Sequence, residues 1–257
     1  MNVASQEHNH DASQHLYFLY HELRAAKSDY LYAVDKDSFE KHIDLFSQIR
    51  TARSSTLWPE ITFDDGHASD YEIALPILQS RGIQARFFIT AGWTGVKAGY
   101  MDWSALRALL QAGQIIGAHG WSHTLLTHCD GKSLHTELVQ TRSFLEDKLG
   151  TSITSLSLPG GRLNRRVLKA CLEAGYTQIF TSSPKAESLP LQQLIGRVNI
   201  RGDMKLDWIA KLLELNSPVL SSLERQHKIK MTAKSLLGDG LYEKVWAAIN
   251  RQEKADK

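Results

Sequence analysis

The sequence predicts an α/β fold in which a parallel sheet curves into a barrel. Short apolar runs rich in β-branched and aromatic residues alternate with helical patterns along most of the 257-residue chain. Glycines and capping residues mark many of the boundaries between them. Strands that alternate with helices form βαβ units, and the number of units suits an irregular (β/α) barrel better than a small open sheet.

The individual elements follow from local patterns. The predicted strands are short apolar runs at residues 16–20, 60–63, 85–90, 114–119, 152–159, 176–181 and 194–200. The predicted helices have glycine stops, capping residues or apolar residues at helical spacing, at 37–50, 70–82, 102–113, 132–149 and 164–175. Asp37 is the predicted N-cap of the first helix, in a capping box with Glu40. Asp102 and Asn164 are the predicted caps of two later helices.

Three segments are expected from these patterns. Residues 1–14 are polar and are expected to form a disordered tail, and residues 15–204 should form the barrel. Residues 205–257 are helical in pattern and rich in lysine and leucine, so we expect a helical extension. Its basic residues are interpreted as a solvated face.

Composition excludes several classes of function. A net charge of +2 gives no case for nucleic acid or for an anionic membrane. Cys129 and Cys171 lack metal-type spacing and make a disulfide framework improbable. The N-terminus has no apolar signal-peptide core, and no apolar run approaches the ~18 residues of a transmembrane helix. These observations predict a soluble, cytoplasmic protein without a transmembrane segment.

Polar residues follow three of the predicted strands. Asp64 and Asp65 follow one strand, His119 follows another, and Pro159, Gly160 and Gly161 follow a third. Residues that follow parallel strands gather at the carboxyl end of the sheet. These groups, distant in sequence, can therefore meet at one site.

The two adjacent aspartates indicate a bound cation. Side-by-side carboxylates repel each other unless a cation or a proton lies between them. His119 and His123 are four residues apart, so on a helical turn they would share a face and chelate one ion. One of Asp64 and Asp65 could complete the ligand set, and the other could act as general base toward water. The alternative interpretation is that Asp64, Asp65 and Gly66 form only a polar loop.

Three motifs carry a resemblance to a known family. "TFDDG" (62–66), "GAHGWSH" (117–123) and "LPGG" (158–161) occur in the same order as in the NodB-type polysaccharide deacetylases, carbohydrate esterase family 4. The resemblance covers roughly residues 16–200. It implies a distorted (β/α) barrel and a metal-dependent hydrolase that removes N-acetyl groups from amino sugars of a polysaccharide or glycan precursor.

The resemblance also implies a role for each motif residue. Asp65, His119 and His123 resemble the ligands of a divalent metal ion, with zinc implied first and cobalt or manganese as alternatives. Asp64 resembles the catalytic base that deprotonates the metal-bound water. The backbone N–H of Gly160 resembles the family's second donor to the oxyanion. An N-acetylated carbohydrate is the implied substrate.

Two departures from the family pattern concern the base and the acid. Ser157 stands where the family usually has an arginine that orients the base, and Arg162 or Arg197 could substitute for it. The late histidine that protonates the leaving amine is missing, since His227 lies in a basic helical stretch. His21, just after the first strand, resembles the acid of a subset with circularly permuted motifs. The alternative is a histidine that only ends the strand.

Two other functions are compatible with the same motifs. The site could cleave an O-acetyl ester of a carbohydrate, because attack on an ester and on an amide uses the same groups. The chain could also be a non-catalytic carbohydrate-binding protein of the same fold. Trp93, Trp103 and Trp121 lie near strand ends or in loops and could stack on sugars, although Trp103 is expected to pack in the core.

Overall fold

The computed structural model describes residues 14–52 and 57–237 and confirms the α/β fold with a barrel-shaped sheet. The strands are β1 Gln14–Tyr20, β2 Glu22–Arg24, β3 Ala33–Asp35, β4 Leu57–Phe63, β5 Arg86–Ile89, β6 Ile115–Ala118, β7 Ser155–Ser157, β8 Gln178–Phe180, β9 Glu187–Ser188, β10 Leu194–Ile195 and β11 Val198–Asn199. The helices are α1 Lys36–Thr51, α2 Leu75–Ser80, α3 Trp103–Gln111, α4 Gly131–His135, α5 Thr141–Leu149, α6 Arg165–Glu173, α7 Leu206–Leu212 and α8 Pro218–Leu237.

The main sheet is nearly closed. Its parallel strands follow the order β10-β8-β7-β6-β5-β4-β1-β11, while β9 pairs antiparallel with β1. The strands at the two ends, β10 and β11, are separated in sequence only by Gly196 and Arg197. The chain therefore passes directly from one end of the sheet to the other, which is what draws the sheet into a barrel.

The prediction of one strand over 194–200 is therefore wrong in detail. The N–H of Gly196 donates to the Glu187 carboxylate, and the N–H of Arg197 donates to the Ser183 carbonyl at 2.9 Å. Neither amide continues the ladder that a single strand would make. The interruption lets residues 194–195 pair with β8 and residues 198–199 pair with β1.

Alternation along β1 separates two hydrophobic clusters. Tyr17 belongs to a small cluster inside the barrel, which also contains Phe88, Phe180 and Ile195. Phe18 points the other way and stacks on Phe46 of α1, with ring centroids 4.6 Å apart. Side chains of successive strand residues point to opposite faces. The sheet consequently packs on helices outside and fills its own interior.

Two of the three predicted helix N-caps are confirmed and one is wrong. Asp102 accepts the N–H of Ala105 at 2.8 Å, and Asn164 accepts that of Val167 at 2.9 Å, as expected for N-caps. Asp37 is not the first cap, because Asp35 accepts the N–H of Ser38 at 3.0 Å. The helix begins earlier than predicted because it directly follows β3, a short strand that the sequence pattern did not reveal.

Two predicted helices contain a wider turn. The segment predicted as 70–82 begins with the π-helical turn Asp70–Ala74 before α2, and the segment predicted as 132–149 contains the π-helical turn Thr136–Gln140 between α4 and α5. Such turns are frequent at functional sites. Here the first one follows the Asp64–Asp65 loop directly.

The predicted terminal segments are described only in part. The expected tail, 1–14, lies outside the described residues apart from Gln14, and so do residues 238–257 of the expected extension. The described part of that extension consists mainly of α7 and α8. Within residues 14–52 and 57–237, no helix combines the length and the apolar character that a bilayer crossing needs.

Candidate metal centre

The loop after β4 places two adjacent carboxylates in different surroundings. Asp64 continues the strand, since its N–H donates to the Tyr20 carbonyl at 3.0 Å, and its side chain is buried. Asp65 and Gly66 both have positive φ angles, 75° and 83°. A Cβ on Gly66 would lie 3.2 Å from Ile89 Cδ1, so the loop requires glycine there. Positive φ at an aspartate is uncommon and often marks a functional site.

Three side chains converge as metal ligands would. The Oδ1 atom of Asp65 lies 3.3 Å from Nε2 of His119 and 3.2 Å from Nε2 of His123. Ligand atoms of the three residues all lie within 4.8 Å of one another. Asp65 Oδ1 is also buried without a hydrogen-bond partner in the described part of the chain. An orphaned carboxylate oxygen facing two imidazole nitrogens fits a shared cation.

The tautomer of His119 is set by a backbone carbonyl. Its Nδ1 lies 2.9 Å from the carbonyl oxygen of Ser157, which can only accept a hydrogen bond. Nδ1 therefore carries the proton, and the lone pair of a neutral ring lies on Nε2, the atom that faces Asp65. This carbonyl–imidazole arrangement is the usual support of a metal-binding histidine.

His123 reaches the site from a loop, so the expected helical turn is wrong. His123 has a φ of 63° and Gly120 a φ of 76°, neither of which a helix allows. The loop is fixed by the carboxylate of Glu137, which accepts the N–H groups of Trp121 at 2.6 Å and Ser122 at 3.1 Å. The two histidine rings still meet, with centroids 5.0 Å apart, because the loop folds back on itself.

The protonation state of Asp65 suits metal binding. Burial raises the pKa of Asp65, but the neighbouring His119 and His123 outweigh it and hold that pKa well below its ordinary value. Asp65 is therefore an ionised carboxylate at neutral pH. Two imidazole nitrogens and one carboxylate oxygen are a donor set for zinc and similar borderline ions, with positions left open for water and substrate.

Asp64 belongs to a closed ion pair. Arg197 donates from Nη1 to Asp64 Oδ1 at 2.7 Å and from Nη2 to Oδ2 at 2.9 Å, and the Ser157 hydroxyl donates to Oδ2 at 2.9 Å. Burial raises the pKa of Asp64, but the charge of Arg197 outweighs it and lowers that pKa below its ordinary value. Asp64 Oδ2 lies 3.9 Å from Nε2 of His119. An ionised carboxylate thus stands beside the ligand atoms.

Arg197, one of the two candidates to substitute for the arginine missing at residue 157, is in contact with Asp64. Its guanidinium is fully buried and also donates from Nη2 to Ser157 Oγ at 2.7 Å and from Nε to the Thr181 carbonyl at 3.1 Å. The short side chain of Ser157 leaves room for this group and adds a hydrogen bond. The sequence offered Arg197 only as one of two candidates, because the residue lies 133 positions from Asp64.

The charges of Asp64 and Asp65 act on His21. It follows β1 and contacts Tyr32, with ring centroids 5.2 Å apart and the rings tilted by 50°, and its buried Nδ1 has no partner among the described residues. Burial lowers the pKa of His21, and the charges of Asp64 and Asp65 oppose this only in part. A histidine with a lowered pKa is a stronger proton donor once it is protonated.

Gly160 follows β7 at the same end of the barrel. It lies in the 3₁₀ turn Pro159–Gly161 with a φ of 63°, and a Cβ there would come within 2.5 Å of Leu125 Cδ2. The positive φ favours glycine here, and a larger residue would also displace the Leu125 side chain. β7 is the neighbour of β6, so this turn is adjacent to the strand that carries His119.

Aromatic residues surround the mouth of the site. Trp93 lies 5.2 Å from the His123 ring and 4.7 Å from Tyr100, and the Lys97 ammonium stands 3.3 Å from the Trp93 ring centroid. Trp103 and Trp121 instead pack against Phe144, in agreement with the expected packing role of Trp103. Tyr32 and Tyr100 gave no sequence signal, because both lie in irregular loops.

Similarity to known proteins agrees with this geometry. Residues 59–179 match the family model described as polysaccharide deacetylase. Chitin deacetylase of Pestalotiopsis sp is 29% identical over 118 residues, 45% of this chain and 38% of that protein. Peptidoglycan-N-acetylglucosamine deacetylase of Bacillus cereus is 28% identical over 123 residues, 48% of this chain and 55% of that protein. The matches thus span roughly half or less of these relatives.

Solved structures show the same fold. The Streptococcus pyogenes deacetylase PplD, in complex with acetate, has a TM-score of 0.70 at 19% identity, covering 79% of this chain and 99% of that one. IcaB from Ammonifex degensii has a TM-score of 0.62 at 20% identity, covering 78% of this chain and 96% of that one. The family match over residues 59–179, the three motifs and the shared fold identify a polysaccharide deacetylase domain of the NodB type in this chain.

Proposed function

We propose that the chain is a metal-dependent hydrolase that removes N-acetyl groups from amino sugars of a glycan. The observation that carries the proposal is the different surroundings of Asp64 and Asp65. One is an ionised carboxylate fixed by Arg197, and the other faces two imidazole nitrogens. The names of the relatives from Pestalotiopsis sp and Bacillus cereus support an N-acetylated amino sugar as the substrate class.

Asp65, His119 and His123 would hold the metal ion. When bound, a divalent ion at this site supplies Lewis acidity, which lowers the pKa of water and polarises the acetyl carbonyl. Zinc is proposed first because the donor set is two nitrogens and one carboxylate oxygen; cobalt and manganese are the alternatives. The buried carbonyl of Ser157 keeps the lone pair of His119 directed at the site.

Asp64 is the proposed general base. A carboxylate has about four lone-pair positions, and Asp64 uses three of them for Arg197 and Ser157. One position remains to accept a proton from the attacking water, as a new C–O bond forms at the acetyl carbon. Arg197 and Ser157 keep the carboxylate ionised and oriented, which is their proposed contribution to the reaction.

Gly160 and His21 complete the proposed reaction. The N–H of Gly160 donates to the negative charge that develops on the carbonyl oxygen. The C–N bond then breaks, protonated His21 gives its proton to the departing amine, and acetate leaves. An early histidine thus replaces the missing late one, since β1 is flanked by β4, which precedes the two aspartates, and by β11, the last strand.

An O-acetyl carbohydrate esterase is the second candidate. The lowered pKa of His21 favours it, because it disfavours the protonated imidazole that an amide leaving group needs. An alkoxide is a better leaving group than an amine anion, so ester cleavage depends less on an acid. The two activities differ in their need for His21.

The test measures acetate release and bound metal together. Purified protein is assayed with N-acetylated and O-acetylated oligosaccharides, with and without a chelator. We expect chelator-sensitive release, faster from the N-acetylated substrate, and a loss of about 10²–10⁴-fold in Asp64→Asn, the usual effect of removing a general base. The exposed Asp37→Asn serves as the control. Bound metal without acetate release from either substrate would favour the carbohydrate-binding protein.

A further inference from the structure

Helix α8 forms a wall of a cavity at the catalytic end of the barrel. The cavity, called here the α8 cleft, has a volume of about 240 Å³. Tyr32, Asn199 and Trp208 line it from the barrel and α7, and Gln226 and His227 line it from α8. The helix is attached to the barrel by a hydrogen bond of 2.9 Å between His227 Nε2 and Ser183 Oγ. The cleft is therefore preformed.

In the strand order, the α8 cleft is lined from β11, which is next to β1, the strand that leads to His21. Arg197, which also lines the cleft, contacts Asp64. The metal ligands come from the ends of β4 and β6, His21 from the end of β1, and Asn199 from β11, the next strand around the barrel. Asn199 is in register with Leu19, two residues before His21. Tyr32 joins the two regions, because its ring contacts the His21 ring and it also lines the cleft.

Two features of the cleft suit a sugar ring. The Oδ1 atom of Asn199 is buried and has no hydrogen-bond partner among the described residues, so it offers an acceptor to a ligand hydroxyl. Trp208 supplies an aromatic side chain, which can pack against the apolar face of a ring. The volume is below the range of about 300–1,000 Å³ of sites for drug-sized ligands. It therefore suits one ring rather than a whole oligosaccharide.

We propose that the α8 cleft binds the sugar unit linked to the one that loses its acetyl group. The inference rests on the proposed function, in which His21 protonates the amine and so marks the sugar side of the scissile bond. The substrate is then an oligosaccharide of at least two units, and the C-terminal helix is a specificity element of the enzyme.

The experiment compares two neighbouring substitutions on α8. Gln226→Trp fills the cleft, whereas Arg225→Trp places the same side chain on an exposed position that does not line it. Each variant and the wild type are assayed for acetate release from N-acetylglucosamine and from its dimer and longer oligomers. Binding of the same ligands is measured by calorimetry. Both positions are exposed, so both variants should fold.

We expect Gln226→Trp to lower kcat/KM and affinity for the oligomers by about tenfold or more, as loss of a whole ring's contacts implies. The monomer and the Arg225→Trp variant should be unaffected. Equal behaviour of monomer and oligomers in wild type, or equal effects of the two substitutions, would overturn the inference. If wild type binds oligomers through the cleft but releases no acetate, the proposed function fails while the cleft assignment stands.

Discussion

Asp64 and Asp65 are neighbours in sequence but belong to two different regions of the site. Around Asp64 the site is buried, with Arg197 and Ser157 donating three hydrogen bonds to the carboxylate. Around Asp65 it is open toward His123, whose side chain is 36% exposed, and one carboxylate oxygen lacks a hydrogen-bond partner. The turn at Asp65 produces this difference, because its left-handed backbone redirects the second side chain.

The comparison shows how one short motif can supply two chemical roles. A buried carboxylate that is paired with a buried guanidinium stays ionised and keeps a fixed orientation. A carboxylate that faces imidazole nitrogens can take a cation. The first region is suited to proton transfer and the second to metal binding, so substitutions in the two regions should have different consequences.

The largest effect is expected from removing a metal ligand. His119→Ala should abolish both metal binding and acetate release, because the remaining two ligands cannot retain the ion. The loss should exceed the about 10²–10⁴-fold expected for removal of a general base. Metal content and turnover are measured together, with His135→Ala, an exposed histidine, as the control. Full activity in metal-free His119→Ala would contradict the metal site.

The next effect concerns the stability of the region around Asp64. Arg197→Met leaves the buried Asp64 carboxylate without its counter-charge, which should lower the free energy of unfolding by about 3–5 kcal/mol. Urea denaturation measures it. Arg81→Met, which removes a partly exposed pair with Asp44, is the control and should cost far less. Equal stability losses in the two variants would show that the buried Asp64 carboxylate does not depend on Arg197 for its stability.

Ser157→Ala tests the same region around Asp64, with a smaller expected loss of stability than Arg197→Met. The variant removes one hydrogen bond to the Asp64 carboxylate but leaves both Arg197 contacts in place. A hydrogen bond to a charged group contributes about 1.5–3 kcal/mol. Unfolding measurements should therefore place this variant between wild type and Arg197→Met. A loss as large as that of Arg197→Met would mean that Ser157, rather than the arginine, holds the base.

A further effect, whose size grows with pH, concerns the buried carboxyl of Asp70. Neither of its oxygens has a hydrogen-bond partner among the described residues. Burial, with the charges of Asp65 and Asp64 adding to it, raises its pKa well above the ordinary value of 3.8. Its protonated form is favoured in the folded state, so stability falls as pH rises from that ordinary value through the raised one.

Asp70→Asn removes this dependence on pH. Relative to wild type, the variant should gain about 1.4 kcal/mol for each pH unit between the ordinary and the raised pKa. Urea unfolding from pH 5 to pH 8 measures the difference, with the exposed Asp37→Asn as the control. A difference that stays constant with pH would show that Asp70 is ionised in the fold, as Asp64 and Asp65 are.

Much of the fold was predictable because its signals are local. Apolar runs and caps such as Asp102 and Asn164 depend only on nearby residues, and the polar residues after strands then follow from topology. The strands β2 and β3 were missed because three-residue segments carry no periodic pattern. Missing β3 also displaced the predicted cap from Asp35 to Asp37.

Prediction of the site was limited in the same way, because contacts that depend on distant parts of the chain carry no local signal. The motifs brought Asp65, His119 and His123 together as candidates, and the structure places these three side chains in contact. The contact of Arg197 with Asp64 could not be deduced, because it depends on how β10 and β11 close the barrel. The loop conformation at His123 was also missed, since a spacing of four residues suggests a helical turn but does not require one.

Metal binding by two matched variants tests the central claim most directly. Asp64→Asn and Asp65→Asn change neighbouring residues in the same way, and each purified variant is titrated with zinc while its metal content is measured. Asp64→Asn should keep the wild-type affinity, and Asp65→Asn should bind at least about tenfold more weakly, a difference of about 1.4 kcal/mol. Equal loss or equal retention of zinc in the two variants would contradict the division of roles between the two aspartates.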